Sequence, residues 1–160
     1  MKLEVLDLYD DNFNKLEKTI VRRVDEIPEG ANIMQSYILI KNNDKYLLEQ
    51  ATERNNYRWA VPGGHVLSGE TPEMALNREL NEELGLTDIE YTKLDTVKFP
   101  YNSYIFNVFY SESVIDIDSL VFQQDEVTQV KWYTKEEILE LINQEQIPRG
   151  YAYILNNYIK

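Results

Sequence analysis

An α/β layered domain is the fold class predicted for this chain of 160 residues. Three observations predict it. Short β-rich runs are bounded by turn residues, helical segments are interspersed among them, and 43% of residues are apolar, enough for a packed core. A single domain over residues 1–160 is the simplest organisation, because no repeat, low-complexity tract or Pro/Gly/Ser linker interrupts the sequence.

Residues 1–30 read as an N-terminal extension, with a strand at Leu3–Leu8 and a turn at Asp10-Asp11-Asn12. Ser36–Lys41 and Tyr46–Gln50 are β-rich and separated by Asn42-Asn43-Asp44, the signature of a hairpin. Arg58–Pro62 predicts a short strand, and Pro62-Gly63-Gly64 is expected to break regular structure after it. Thr71 as N-cap and Pro72 at the first helical position open a helix that Gly85 ends. Two further strands, near Tyr91–Phe99 and Tyr104–Ser111, flank a turn around Pro100–Ser103. Glu126–Tyr133 alternates as a strand, and Thr134-Lys135-Glu136-Glu137 is a capping-box pattern for a helix burying Ile138, Leu141 and Ile142. Tyr151, Ile154, Leu155 and Tyr158 keep helical spacing and are expected to pack on the sheet.

Composition narrows the partners. The net charge is −12, from 28 acidic against 16 basic residues, so nucleic acid and anionic membrane are not expected to bind. A polyanionic small molecule could still bind where bound cations reverse the local sign. No apolar run approaches the roughly 20 residues that cross a bilayer. The chain has no cysteine, which removes disulfides, thiolate metal sites and thiol nucleophiles together. The start, MKLEVLDLYD, does not resemble a secretory signal, and a cytoplasmic location is the expectation. A homodimer is left open.

The segment 72–84, PEMALNRELNEEL, conflicts with its own stability as a helix. Glu79, Glu82 and Glu83 stand at i, i+3 and i+4, where like charges repel. Glu82 and Glu83 also occupy the last turn, the negative end of the helix dipole. Arg78 is the only cation in the segment, whereas an ordinary solvated face would interleave lysines. Ala75, Leu76, Leu80 and Leu84 lie on or beside the same stripe, so these acids flank the packing face. A divalent cation resolves the conflict, since clustered hard oxygens suit Mg²⁺ or Mn²⁺.

Upstream, Pro62-Gly63-Gly64 lets backbone approach a metal or phosphate closely. Read together, Gly64, Glu70, Arg78-Glu79-Leu80, Glu82-Glu83 and Gly85-Leu86 match without a break the signature of the Nudix hydrolases, which the sequence therefore resembles over residues 64–86. Trp59-Ala60-Val61-Pro62-Gly63-Gly64 looks like the family's strand entering that loop. Asp125-Glu126-Val127 through Trp132 and Glu136-Glu137 resembles its later strand and helix.

The resemblance implies an α/β/α sandwich with a mixed β-sheet and a loop–helix–loop catalytic motif. It implies hydrolysis of a nucleoside diphosphate linked to some group X, with Mg²⁺ or Mn²⁺ as cofactor. By the same likeness Glu79, Glu82 and Glu83 are metal ligands with the Gly63 or Gly64 carbonyl, and Glu70 pairs with Arg78. Glu79 is the first choice for the general base and Glu126 the second. Gly64, Glu70 and Gly85 are expected to shape the motif.

Arg54 and Arg58 are candidate phosphate contacts, and Tyr104, with Tyr101 and Phe106 nearby, a candidate for base stacking. His65, the only histidine, is expected to order the loop, and Trp59 to pack in the core. A nucleoside triphosphate is the favoured substrate. ADP-ribose or a dinucleoside polyphosphate is the alternative, and a non-catalytic nucleotide-binding module is a further one. The extension, with LEVLDLYDDNFN, Arg23 and Glu29-Gly30, resembles isoprenyl diphosphate isomerases of the superfamily, but their chemistry needs a cysteine that this chain lacks. RNA cap removal is disfavoured by the acidic charge.

Overall fold

The computed structural model describes residues 2–160. Nine strands and three helices follow one another as β1 (Val5–Tyr9), β2 (Lys15–Val21), β3 (Ile33–Asn42), β4 (Lys45–Ala51), β5 (Trp59–Ala60), β6 (Gly63–His65), α1 (Pro72–Leu84), β7 (Thr92–Lys98), β8 (Tyr104–Glu112), β9 (Val127–Thr134), α2 (Lys135–Asn143) and α3 (Arg149–Tyr158). The main sheet runs β5-β4-β3-β8-β7, with β6 paired to β3 and β9 to β4. Its central pair, β3 with β8, is parallel from Ile33↔Tyr104 to Lys41↔Glu112, and the other pairings are antiparallel. The sheet is mixed, as expected.

β3 is apolar over most of its length because it is covered on both faces. Tyr37 and Leu39 point to one side, where Ile138 of α2 and Ile154 and Leu155 of α3 complete a core. Ile38 and Ile40 point to the other, against Leu76, Leu80 and Leu84 of α1. The result is an α/β/α sandwich. The ends of α1 are those the sequence signals. Thr71 Oγ1 accepts from the Met74 amide at 3.1 Å, and Gly85 ends the helix at φ +65°. At α2 the Thr134–Glu137 capping box is formed in both directions.

Two elements differ from expectation. Pro62-Gly63-Gly64 was expected to break regular structure, yet Gly63–His65 forms β6 and pairs with Gln35, Ser36 and Tyr37 of β3. The glycine is what permits this pairing. At φ +139°, a Cβ on Gly63 would lie 2.0 Å from the Ser36 carbonyl oxygen. The N-terminal extension also holds a second strand, β2, which pairs with β1 through a register irregularity between Asp7 and Tyr9. Leu6, Leu8 and Ile20 of this hairpin pack with Ala31 and Ile33.

That hairpin reaches the loop leading into α1. Asp7, 3% exposed, accepts from Ser68 Oγ at 2.8 Å and from the Gly69 amide at 3.0 Å. Ser68 N also donates to the Val5 carbonyl at 2.8 Å. No helix among the described residues is long and apolar enough to cross a membrane.

Candidate active site

A cleft of about 590 Å³ opens where β4, β6, α1 and the hairpin end meet. Glu49, Gly63, Gly64, Arg78, Glu79 and Glu83 line its floor and wall, and Arg22, Arg23, Arg54 and Glu126 come to its rim. A larger hollow, about 1080 Å³, lies behind α1 against Thr87–Thr92 and Tyr110–Glu112. Its acids, Asp88, Glu90 and Glu112, are separately exposed, so it lacks convergent chemistry.

Helix geometry alone treats the three α1 glutamates alike, but the structure separates them. Glu79 retains 13% side-chain exposure and Glu82 retains 47%. The Glu79 carboxyl lies over Gly64, where a Cβ would meet its Cδ at 2.5 Å. Any side chain at residue 64 would therefore displace this acid.

Arg78 organises the entrance to α1. Its Nε and Nη2 donate to the two Glu70 oxygens at 2.8 and 3.0 Å, forming a bidentate pair. Nη2 also reaches the His65 carbonyl at 2.9 Å, while Nη1 reaches Glu79 at 2.9 Å and Glu82 at 3.3 Å. Glu70 accepts the Leu67 amide at 2.8 Å as well. Burial alone would raise the Glu70 carboxyl, but Arg78 and the Leu67 amide outweigh it and hold it below the ordinary 4.5. Burial works against the Arg78 charge too, and Glu70 and Glu79 more than restore it.

Deeper in the cleft the balance reverses. Glu83 stands within hydrogen-bonding reach of both Glu49 and Glu79, contacts that bond only while a proton is held between carboxyls. Burial raises all three, most of all Glu83, and the facing negative charges add to it. Glu49 is pushed up to about 7. His65 is driven the other way, to about 3, by burial and then by Arg22, Arg23 and Arg78, so it is neutral. Its Nε2 therefore accepts from Gln35 Nε2 at 3.1 Å, and this bond with the Arg78–carbonyl bond fixes the loop.

Not every residue singled out in the sequence reaches the cleft. Arg54, on a short 3₁₀ turn (Glu53–Asn55), lines it. Arg58 does not line it, and its Nε points back to the Asn55 carbonyl at 3.5 Å. Tyr104 starts β8 and packs among core residues, 6.4 Å between ring centres from Phe106, again outside the lining. Trp59 is buried against Tyr133. Glu126 reaches the rim because its loop docks on the C-terminal end of α1, Val121 N on the Leu84 carbonyl and Gln123 N on that of Glu83.

Sequence reasoning missed Glu49, the arginines Arg22 and Arg23, and the tyrosines Tyr37 and Tyr151 that also line the cleft. One signal for Glu49 was present: it falls two residues after Leu47, directly following the apolar run Tyr46-Leu47-Leu48 of β4.

No three acidic or histidine side chains among the described residues stand ready-made as a metal cage. The donor set nevertheless fits a hard divalent cation. Glu49 Oε2 is buried with no hydrogen-bond partner among the described residues, beside two more carboxyls held above their ordinary range.

The family model for the NUDIX domain matches residues 34–155, most of the chain. The chain belongs to the Nudix family. An uncharacterized Nudix hydrolase of Listeria innocua is 28% identical over 144 residues, covering 85% of this chain and 83% of that one. An 8-oxo-dGTP diphosphatase of Proteus vulgaris is 37% identical over 67 residues, 41% of this chain and 60% of its own. In fold, the crystal structure of the Deinococcus radiodurans protein DR0079 superposes with a TM-score of 0.83 at 21% identity, covering 98% of this chain and 100% of the other. That likeness takes in the N-terminal hairpin as well as the sandwich. The protein is thus a Nudix hydrolase, an enzyme acting on pyrophosphate linkages.

Proposed function

We propose that this Nudix hydrolase cleaves a phosphoanhydride bond of a nucleoside triphosphate. The observation that carries this reading is the opposition of charge across one cleft: Glu49, Glu79 and Glu83 on the floor face Arg22, Arg23 and Arg54 at the rim. In a chain of net charge −12, Arg23 and Arg54 at one opening offer guanidinium donors suited to phosphates, while Arg22 is paired with Glu4. The 8-oxo-dGTP diphosphatase likeness, confined to part of each chain, supports a triphosphate over other phosphoanhydrides.

Glu79, Glu82 and Glu83, with the Gly63 carbonyl, would hold Mg²⁺ or Mn²⁺. When bound, that cation supplies neutralisation of the diphosphate charge and acidifies nearby water. Arg78 holds Glu79 against the glycine loop, so the acid is positioned before substrate arrives. Glu79 would take the proton of the attacking water, since Arg78 holds its carboxyl at the glycine loop. Glu126, at the rim, is the second candidate for that role. Arg23 and Arg54 would grip the outer phosphates, orienting the bond to be cut. Tyr104 and Arg58 have no part in this scheme, because neither lines the cleft.

A release screen for phosphate and pyrophosphate tests the reading, run over nucleoside triphosphates, nucleotide sugars, ADP-ribose and dinucleotides with Mg²⁺ and Mn²⁺. The expected result is nucleoside monophosphate and pyrophosphate from at least one triphosphate. Hydrolysis of ADP-ribose or dinucleotides alone would move the substrate, and turnover of none of these compounds would defeat the proposal.

A further inference from the structure

We propose that Glu49 of β4 is a metal ligand, closing the cation site from the strand opposite α1. The inference rests on reading this cleft as the site of a metal-dependent hydrolase, and adds a ligand that lies outside the glycine-to-helix motif.

The placement of Glu49 is what needs explaining. Along β4, Tyr46 and Leu48 enter the core beneath α2 and α3, while Leu47 enters the core beneath α1. Glu49 follows Leu47 on that second face, at a position where alternation calls for another apolar side chain. Instead a carboxyl is buried there at 6% exposure. Its Oε2 has no hydrogen-bond partner among the described residues. A buried acid without a donor is costly, and native folds rarely keep one unless something outside the chain satisfies it.

Among the described residues no cation forms an ion pair with Glu49, and Arg23 and Arg54 reach the same cleft without pairing to it. Arg78 is the nearest built-in candidate on α1, and its Nε, Nη1 and Nη2 are committed to Glu70, Glu79, Glu82 and the His65 carbonyl. A guanidinium has five donors, so these five bonds leave none over. Arg22 is bonded to Glu4. The groups that do adjoin Glu49 are negative: Glu83 directly, with Glu79 and Glu126 within reach of their charge. A carboxyl surrounded by carboxyls, lining a cleft and with one oxygen lacking a donor, is the surrounding a divalent cation satisfies.

A merely structural Glu49, kept protonated against Glu83, makes an opposite forecast. There the isosteric amide would serve as well, and metal would bind as before.

The test uses the full chain, stripped with chelator and titrated with Mn²⁺, reading free Mn²⁺ by electron paramagnetic resonance and the melting temperature in parallel. Glu49→Gln should weaken Mn²⁺ binding at least about tenfold, while its metal-free form melts no lower than the wild type. Glu49→Leu, which restores the apolar alternation, should behave likewise and guards against an unlucky amide. Glu53→Gln removes an exposed acid four residues along and should bind Mn²⁺ as the wild type does. Mn²⁺ affinity within twofold of wild type in both Glu49 variants, with Glu83→Gln weakened, overturns the role of Glu49 and leaves the motif as the site. A wild type that binds no Mn²⁺ overturns both readings.

Discussion

Two groups of acidic side chains sit side by side at α1 in opposite surroundings. Glu70 is matched on both oxygens by Arg78 and receives the Leu67 amide besides, so its charge is welcome and its carboxyl is held low. Glu49, Glu79 and Glu83 face one another, and their carboxyls are held high. Both groups are partly or largely buried, so burial alone does not divide them. The supply of donors does. Arg78 could have satisfied the inner cluster, but most of its bonds go to the loop that precedes the helix. The chain has completed the bonds that keep its shape and left incomplete the ones a ligand can finish.

Removing an acid from the incomplete group should give the largest effect on turnover. Glu83→Gln is expected to lower kcat by at least about a hundredfold, equivalent to about 2.7 kcal/mol of barrier. Its fold should be intact by circular dichroism. Steady-state rates with saturating Mn²⁺ decide the matter, and a loss of only a few-fold would place the chemistry elsewhere.

Breaking the complete group should instead register first in stability. Glu70→Gln leaves Arg78 with an unmatched charge and is expected to cost about 1–2 kcal/mol in urea unfolding, discounted for partial exposure. If this variant unfolded like the wild type, the contrast drawn between the two groups would lose its complete half.

Metal sharpens the same contrast. At tenfold excess over Kd, Mn²⁺ should add about 1.4 kcal/mol, a melting shift of roughly 3–6 °C. The shift should survive in Glu70→Gln and largely vanish in a Glu79→Gln/Glu83→Gln double variant. Equal shifts in the two variants would show that the ion binds at neither group.

The smallest effect is one of pH. Because the Glu70 carboxyl is lowered in the folded state, its pairing stabilises the protein above the ordinary 4.5 and is lost as pH falls through the folded value. The gap in urea midpoint between wild type and Glu70→Gln should therefore be full at neutral pH and shrink below about 4.5. A gap that widened on acidification would reverse the sign assigned to Glu70.

The sequence was most informative where the governing contacts are local. Thr71, Pro72 and Gly85 mark α1 to the residue, because capping is decided within one turn. The carboxylate stripe was legible for the same reason. It was silent where distance along the chain separates the partners. β6 depends on β3, nearly thirty residues earlier, so the glycines that seat it looked like a break. Arg54 and Arg58 are chemically alike and close in sequence, yet only a 3₁₀ turn decides which faces the cleft. Glu49 carries only the faint local sign of following Tyr46-Leu47-Leu48, since the acids that face it are brought in by α1, far along the chain.

The cleft draws on widely separated stretches of chain, from Glu4 and Val5 through Arg22, Tyr37, Glu49, Gly63–His65, Arg78–Glu83 and Gln123–Glu126 to Tyr151 on α3. Its central parallel pair joins residues about seventy positions apart, a slow closure for a folding chain. During synthesis, therefore, α1 leaves the ribosome after β1–β6 but before the Gln123–Glu126 loop and Tyr151 that complete the cleft. The cleft is complete only when that loop and α3 have docked and Tyr151 lines it.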